Sequence, residues 1–378
     1  MIPAHSYQQF IMNTHRLHHI DVWRFIAIFM VIVSHIIAFS HPWYAANVAG
    51  VVWRLEPIGT VGVQIFFCIS GYVICRGLMR EASTPAGISL RGFFIRRAHR
   101  ILPPLFLYIA VVAVLNALGA FNLQPAQFLQ AATFLCNLGP KDKCGWELGH
   151  TWSLAYEEQF YLAFPFLVIW LGLAARRDRL VLILGGLAAV SLALTLSVGK
   201  SFAGEYVGHF ICMLSGCTVA LYWDRLQPML ARTSVTTWFF AALLVIGVNA
   251  VALPQFFREV IQPILLPPLI CVAVFGTPHG HPLLRRFFLS PLLSHLGRIS
   301  YGVYLWQQLA TGDYGFDSPF VSLALLGGVF VLAHFSYTRL EVPLMNVGAR
   351  RAAAKPVHLP AAAPTSADVG DEELANSR

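Results

Sequence analysis

Residues 20–40 read IDVWRFIAIFMVIVSHIIAFS. Phe25 to Val33 is wholly apolar, yet the run opens on Asp21 and Arg24 and carries His35 inside it. A helix needs about 20 apolar residues to cross a bilayer. Ionisable side chains within such a run are costly in hydrocarbon, so they are candidate functional groups. In a helix, the path from Arg24 to His35 turns through about 1100°, roughly 20° beyond three full turns. Both side chains therefore share one face, about 16 Å apart along the axis. Asp21 lies near that face and can neutralise Arg24. The charges at the head of the run make it a poor secretory signal, so it reads as a span.

The rest of the chain agrees. Of 378 residues, 57% are hydrophobic and 12% charged, against about 25% charged in soluble domains; mean hydropathy is +0.64. Ten apolar runs follow the same length rule: 22–40, 58–77, 101–119, 153–173, 180–198, 206–223, 235–253, 259–276, 296–311 and 319–339, the ninth being short. The expected fold is an all-α polytopic bundle of about ten transmembrane helices. With the N-terminus inside, the loops on that side hold 19 of the Lys and Arg residues and the outer loops 5. That asymmetry puts both termini in the cytoplasm and accounts for the net charge of +8 without nucleic acid as a partner. The expected organisation is a cytoplasmic segment 1–20, a membrane domain 21–345 and a disordered tail 346–378.

Five of the seven cysteines (Cys68, Cys75, Cys212, Cys217 and Cys271) fall in apolar runs and read as small hydrophobes. The absence of a CxxC pair argues against a metal site. Cys136 and Cys144 share the long outer loop from about 120 to 152; a disulfide and two free thiols are both compatible with the sequence.

Three further clusters carry potential chemistry. Arg96, Arg97 and Arg100 lie three and four residues apart before the third run and can point to one side. Guanidinium groups bind phosphate bidentately; anionic lipid is the plainer partner. Gly59, Gly62, Ser70 and Gly71 give the second run a small face, suited to close helix packing or to a narrow slot. Glu157 and Glu158 open the fourth span, about 100° apart, so one of them can face a common cavity, near the outer boundary at the depth of His35. His150 reads as a loop histidine, His209 and His334 as core histidines.

Asp21-x-x-Arg24-x10-His35 resembles the opening of the bacterial integral-membrane O-acyltransferases of the acyltransferase 3 family. Other segments follow in family order. Gly62-Val63-Gln64-Ile65-Phe66-Phe67-Cys68-Ile69-Ser70-Gly71-Tyr72 is similar to its G-V-x-x-F-F-x-x-S-G-F segment, with Tyr72 for the usual Phe. Arg97-Ala98-His99-Arg100-Ile101-Leu102-Pro103 is similar to R-x-x-R-I-x-P. Trp152-Ser153-Leu154-Ala155-Tyr156-Glu157-Glu158-Gln159-Phe160-Tyr161 is similar to W-S-L-x-x-E-x-Q-F-Y, and Ser300-Tyr301-Gly302-Val303-Tyr304-Leu305 and Glu341-Val342-Pro343 fit the last two helices. The family often has His just after that Tyr-Leu segment; here Trp306-Gln307-Gln308 stands instead.

The resemblance implies transfer of an acyl group, acetyl in the common case, from cytoplasmic acyl-CoA to a hydroxyl of an exported polysaccharide, lipopolysaccharide or lipid-linked glycan, in a bacterial inner membrane. Acyl-CoA would be a co-substrate, with no bound cofactor and no metal. His35, Arg24 and Glu157 are the expected catalytic residues, with Glu157 supporting His35 or positioning the acceptor. Asp21, Arg96, Arg97, Arg100, Ser70, Gly71, Trp152, Ser153 and Tyr301 are the expected substrate-binding residues. The competing class is a transporter or flippase using the same charges. Transporters commonly carry inverted repeats and paired broken helices, and the sequence has neither.

Overall fold

The computed structural model describes residues 18–38, 57–138, 141–173, 175–198, 202–230, 232, 234–250, 262–276, 281–312 and 319–353. Among them there are helices and no strand, which is what a chain without water to satisfy its main-chain groups must do.

Three long helices open the fold: α1 (His18–Ala38), α2 (Ile58–Ala82) and α3 (Leu90–Ala117). The outer loop folds into α4 (Pro125–Ala132), a 3₁₀ turn and α5 (Gly145–Gly149). Next come α6 (Thr151–Trp170), α7 (Asp178–Val198), α8 (Phe202–Leu221), α9 (Trp223–Leu230), α10 (Val235–Ala250) and α11 (Gln262–Phe275). The chain ends in α12 (Pro282–Phe288), α13 (Pro291–Arg298), α14 (Ser300–Trp306), α15 (Gln308–Thr311), α16 (Pro319–Ser336), a π-helical turn at Tyr337–Glu341 and α17 (Val342–Ala353).

Four stretches are long and apolar enough to cross a membrane: His18–Ile36, Ile58–Ala82, Leu90–Ala117 and Leu323–Ala353. The protein is a multi-pass membrane protein, helical among the described residues. The structure departs from the sequence expectation at several points. The ninth run is not one helix: it breaks into α13, α14 and α15 around the buried Gln307 and stops at Gly312. The arginines of residues 91–100 are not a loop before the third helix but its first turns, because Ser89 caps α3 by accepting from the Gly92 amide at 3.1 Å. Pro103 and Pro104 sit within that helix and remove two amide donors; beside them, Tyr301 donates its hydroxyl to the Ile101 carbonyl at 3.0 Å. Residues 346–353, where the sequence reading begins the tail, continue α17, packed on α3 through Gly348 and His99. Residues 1–17 and 354–378 lie outside the described residues.

The small face of α2 is consumed by packing. Gly59 and Gly62 abut Ser34 and the Ala27 carbonyl of α1, and Gly71 abuts the Met213 main chain of α8. Gly216 of α8 returns the contact against Cys68. A methyl group at Gly71 or Gly216 would overlap main-chain atoms, so these two helices cross at backbone distance. Gly59, Gly62 and Gly71 therefore serve helix packing.

Candidate active site

Arg24 and His35 of α1 both turn inward, and they meet different surroundings. Arg24 lies in the field of Arg100 on α3, Asp21 one turn away, and Glu157 and Tyr161 on α6. The Glu157 carboxylate is fixed from two sides: Ser70 donates to Oε1 and Tyr161 to Oε2, each at 2.8 Å. Arg97 lies 4.7 Å from the centre of the Tyr161 ring and 6.0 Å from that of Phe93, a cation–π arrangement. Arg96 departs from the other two and pairs with Glu81 at the end of α2. Among the described residues, Arg24, Arg97 and Arg100 make no direct ion pair. Three part-buried guanidinium groups thus keep donors open on one interior surface.

Asp21, buried near the head of α1, accepts from Ser294 at 3.2 Å, and its main chain abuts Gly297 of α13. Glu341, on the π-helical turn, is buried, accepts from Ser336 at 3.2 Å and faces Arg100 and Arg24. A π turn shifts the register of one helix face, and such turns are frequent at functional sites; here it brings a carboxylate to two arginines. Tyr301 shares this field with Glu158, Glu341, Glu157 and Arg100.

His35 sits among neutral groups. Its Nδ1 is 3.0 Å from Gln307 Oε1. The Gln307 amide donates in turn to Gln308 Oε1 at 2.9 Å, and the Gln308 amide donates to the Trp146 carbonyl at 2.8 Å. With its NH₂ used this way, Gln307 presents oxygen to His35. Nδ1 must then carry the proton, and Nε2 keeps its lone pair. The Trp146 ring packs edge-on against the imidazole at 5.1 Å, and its indole N–H donates to the Gln308 carbonyl at 3.1 Å. Chemically, a histidine in this tautomer can take a proton on Nε2.

Not every expected residue joins these two clusters. Glu157 is not at His35: it lies two turns down α6, held by Ser70 and Tyr161 beside Arg24, so the support for His35 comes from Gln307. Trp152 packs with Phe67, Tyr156 and His209 in an aromatic cluster. Ser153 bonds the Tyr304 hydroxyl at 2.6 Å. Gly71 serves the α2–α8 crossing. Cys136 and Cys144 are joined as a disulfide with Cα atoms 5.9 Å apart, closing the loop that leads to Trp146 and His150. Sequence reasoning missed Trp146, Gln308 and Glu341 as site groups; an amide pair inside an apolar run and a Glu at the end of a span were the available signals.

The other side of α1 is different again. There, Trp23, Met30, Ile65, Trp238, Ile270 and Phe288 line an apolar cavity.

A multi-pass helical membrane protein with an inward arginine–carboxylate cluster and a histidine base is the class this arrangement defines. The chain belongs to the acyltransferase 3 family: the family profile, described as an acyltransferase domain, matches residues 17–337. It is 30% identical to the peptidoglycan O-acetyltransferase OatA of Listeria monocytogenes, over 77% of this chain and 52% of that protein. It is 29% identical to the putative peptidoglycan O-acetyltransferase YrhL of Bacillus subtilis, over 77% of this chain and 51% of that one. A putative O-acetyltransferase of Staphylococcus aureus is 26% identical over 80% and 55%. The chain thus spans about half the length of these relatives. No solved structure matches it.

Proposed function

We propose that this protein moves an acetyl group from cytoplasmic acetyl-CoA to a hydroxyl of an exported or lipid-linked glycan, across ten membrane passages with both termini in the cytoplasm of a bacterial cell. The peptidoglycan named for two relatives is the acceptor of first choice. The observation that carries the reading is the pairing on α1: an inward arginine in a charged cluster and, three turns away, an inward histidine whose tautomer is held by Gln307.

In this reading, Arg97 and Arg100 take the donor's phosphates through charge-assisted hydrogen bonds, with Arg96 at the margin on Glu81. The pantetheine arm passes Arg24, whose charge faces the Glu157 carboxylate that Ser70 and Tyr161 hold in place. His35 Nε2 takes the proton of the acceptor hydroxyl. The oxygen attacks the acyl carbonyl, the C–S bond breaks, and the departing sulfur takes the proton from His35. Acyl transfer to a side chain first, and then to the acceptor, uses the same base.

The test is transfer of label from radiolabelled acetyl-CoA into glycan by membranes containing the protein, with mass analysis of cell-envelope glycan from cells with and without it. Acetyl-CoA-dependent label and an added acetyl mass are expected. Membranes that move no label, alongside unchanged glycan masses, would defeat the reading in favour of transport.

A further inference from the structure

His150, at the junction of α5 and α6, is 4% exposed and lies between the rings of Tyr108 and Tyr304, with centroids 5.3 Å away on each side. Its main-chain oxygen is occupied: the Tyr304 hydroxyl donates to it at 2.8 Å and the Ser153 amide at 3.3 Å. Its ring is not. Among the described residues, neither Nδ1 nor Nε2 has a hydrogen-bond partner. An unpaired buried polar atom loses its hydration with nothing in return, and this ring has two. Aromatic packing between two tyrosines does not require that, since Phe fills the same slot without polar atoms.

The ring also lies within electrostatic reach of His35. Burial pushes its pKa down to about 3, and a proton gained by His35 acts in the same direction, so at neutral pH the imidazole keeps one N–H and one lone pair. Across Tyr108, the indole N–H of Trp306 is likewise buried without an acceptor.

We infer that His150 is a substrate-binding residue of the transfer reaction, its N–H donating to the carbonyl oxygen of the acyl thioester while His35 faces the acceptor hydroxyl. The inference rests on the acyl-transfer reading above. His35 already offers a lone pair to the hydroxyl proton, so a second lone pair there adds nothing. The carbonyl oxygen needs a donor. As the hydroxyl oxygen bonds to the carbonyl carbon, the C=O π pair moves onto that oxygen and the hydroxyl proton moves to His35. Collapse restores the C=O, breaks the C–S bond and returns the proton to sulfur. Between these steps the oxygen is anionic, and a neutral N–H in a dry site stabilises it without reorganisation.

His150→Phe and His150→Gln, made in the full chain and assayed in membranes with labelled acetyl-CoA, test this. His150→Phe should melt at or above the parent's temperature. Its kcat should fall about 10²–10³-fold, the usual loss of one such donor, with KM for acetyl-CoA little changed. His150→Gln restores an N–H and should recover a substantial part of that loss. The inference is overturned if His150→Phe keeps the parent's kcat, or if His150→Gln, melting as the parent does, is no better than His150→Phe. Should His150→Phe not fold, the kcat of His150→Gln decides: near parental supports a donor role, and a full loss in a folded protein opposes it. Failure of the acyl-transfer reading is distinguishable, because the parent itself would then move no label.

Discussion

The two ends of α1 solve opposite problems. Around Arg24, guanidinium and carboxylate groups from α1, α3, α6 and the π turn before α17 share one interior surface, and the carboxylate of Glu157 is held by neutral hydroxyls rather than by an arginine. Around His35 the partners are amides, a tryptophan ring and a second, neutral histidine. A surface rich in open guanidinium donors suits an anionic ligand. A histidine held in one tautomer by a neutral amide suits proton transfer, because its Nδ1 is fixed as the donor and its Nε2 lone pair is left to take a proton. One helix face thus carries donor binding at one end and chemistry at the other.

The sharpest break of this comparison is His35→Ala. Loss of a general base costs typically 10²–10⁴-fold, so labelled acetyl transfer by that variant should fall into this range while its membrane level holds. Next is Gln307→Leu, which removes the group that fixes the tautomer. One such bond is worth about 1–3 kcal/mol, so the rate should fall by between fivefold and about 150-fold; Gln307→His, the residue common in the family at this segment, can accept from Nδ1 and should keep most of the activity.

Opening the disulfide by Cys136→Ser acts on the loop that presents Trp146 and His150. It should lower stability by about 2–3 kcal/mol for so short a loop, read as an earlier melting transition. Gly71→Ala is a control outside both ends. It should cost about 1–3 kcal/mol by overpacking the α2–α8 crossing, visible on melting, with the rate per folded molecule unchanged.

What the sequence made legible follows from what spacing can encode. The shared face of Arg24 and His35 is a property of one helix, so the twelve residues from one to the other suffice to place it. Helical content and the membrane class follow from apolar run length. The depth of Glu157 was misjudged because it depends on how α6 enters the bundle after α5, which no local pattern records. The partnership of His35 with Gln307 joins residues 272 apart. A Gln pair within an apolar run signals a buried polar network but does not name its partner. The small residues of α2 were legible as a packing face, yet they divide between α1 and α8, a split set by tertiary structure alone.

Steady-state kinetics on His35→Ala and Arg24→Ala, with acetyl-CoA as the varied substrate, tests the division of labour most directly. His35→Ala should lose kcat with KM for acetyl-CoA nearly unchanged. Arg24→Ala should act mainly on KM, raising it on the order of 10- to 100-fold, as loss of a charge-assisted contact does. Equal effects of both substitutions on the same constant, or full transfer by either variant, would contradict the account.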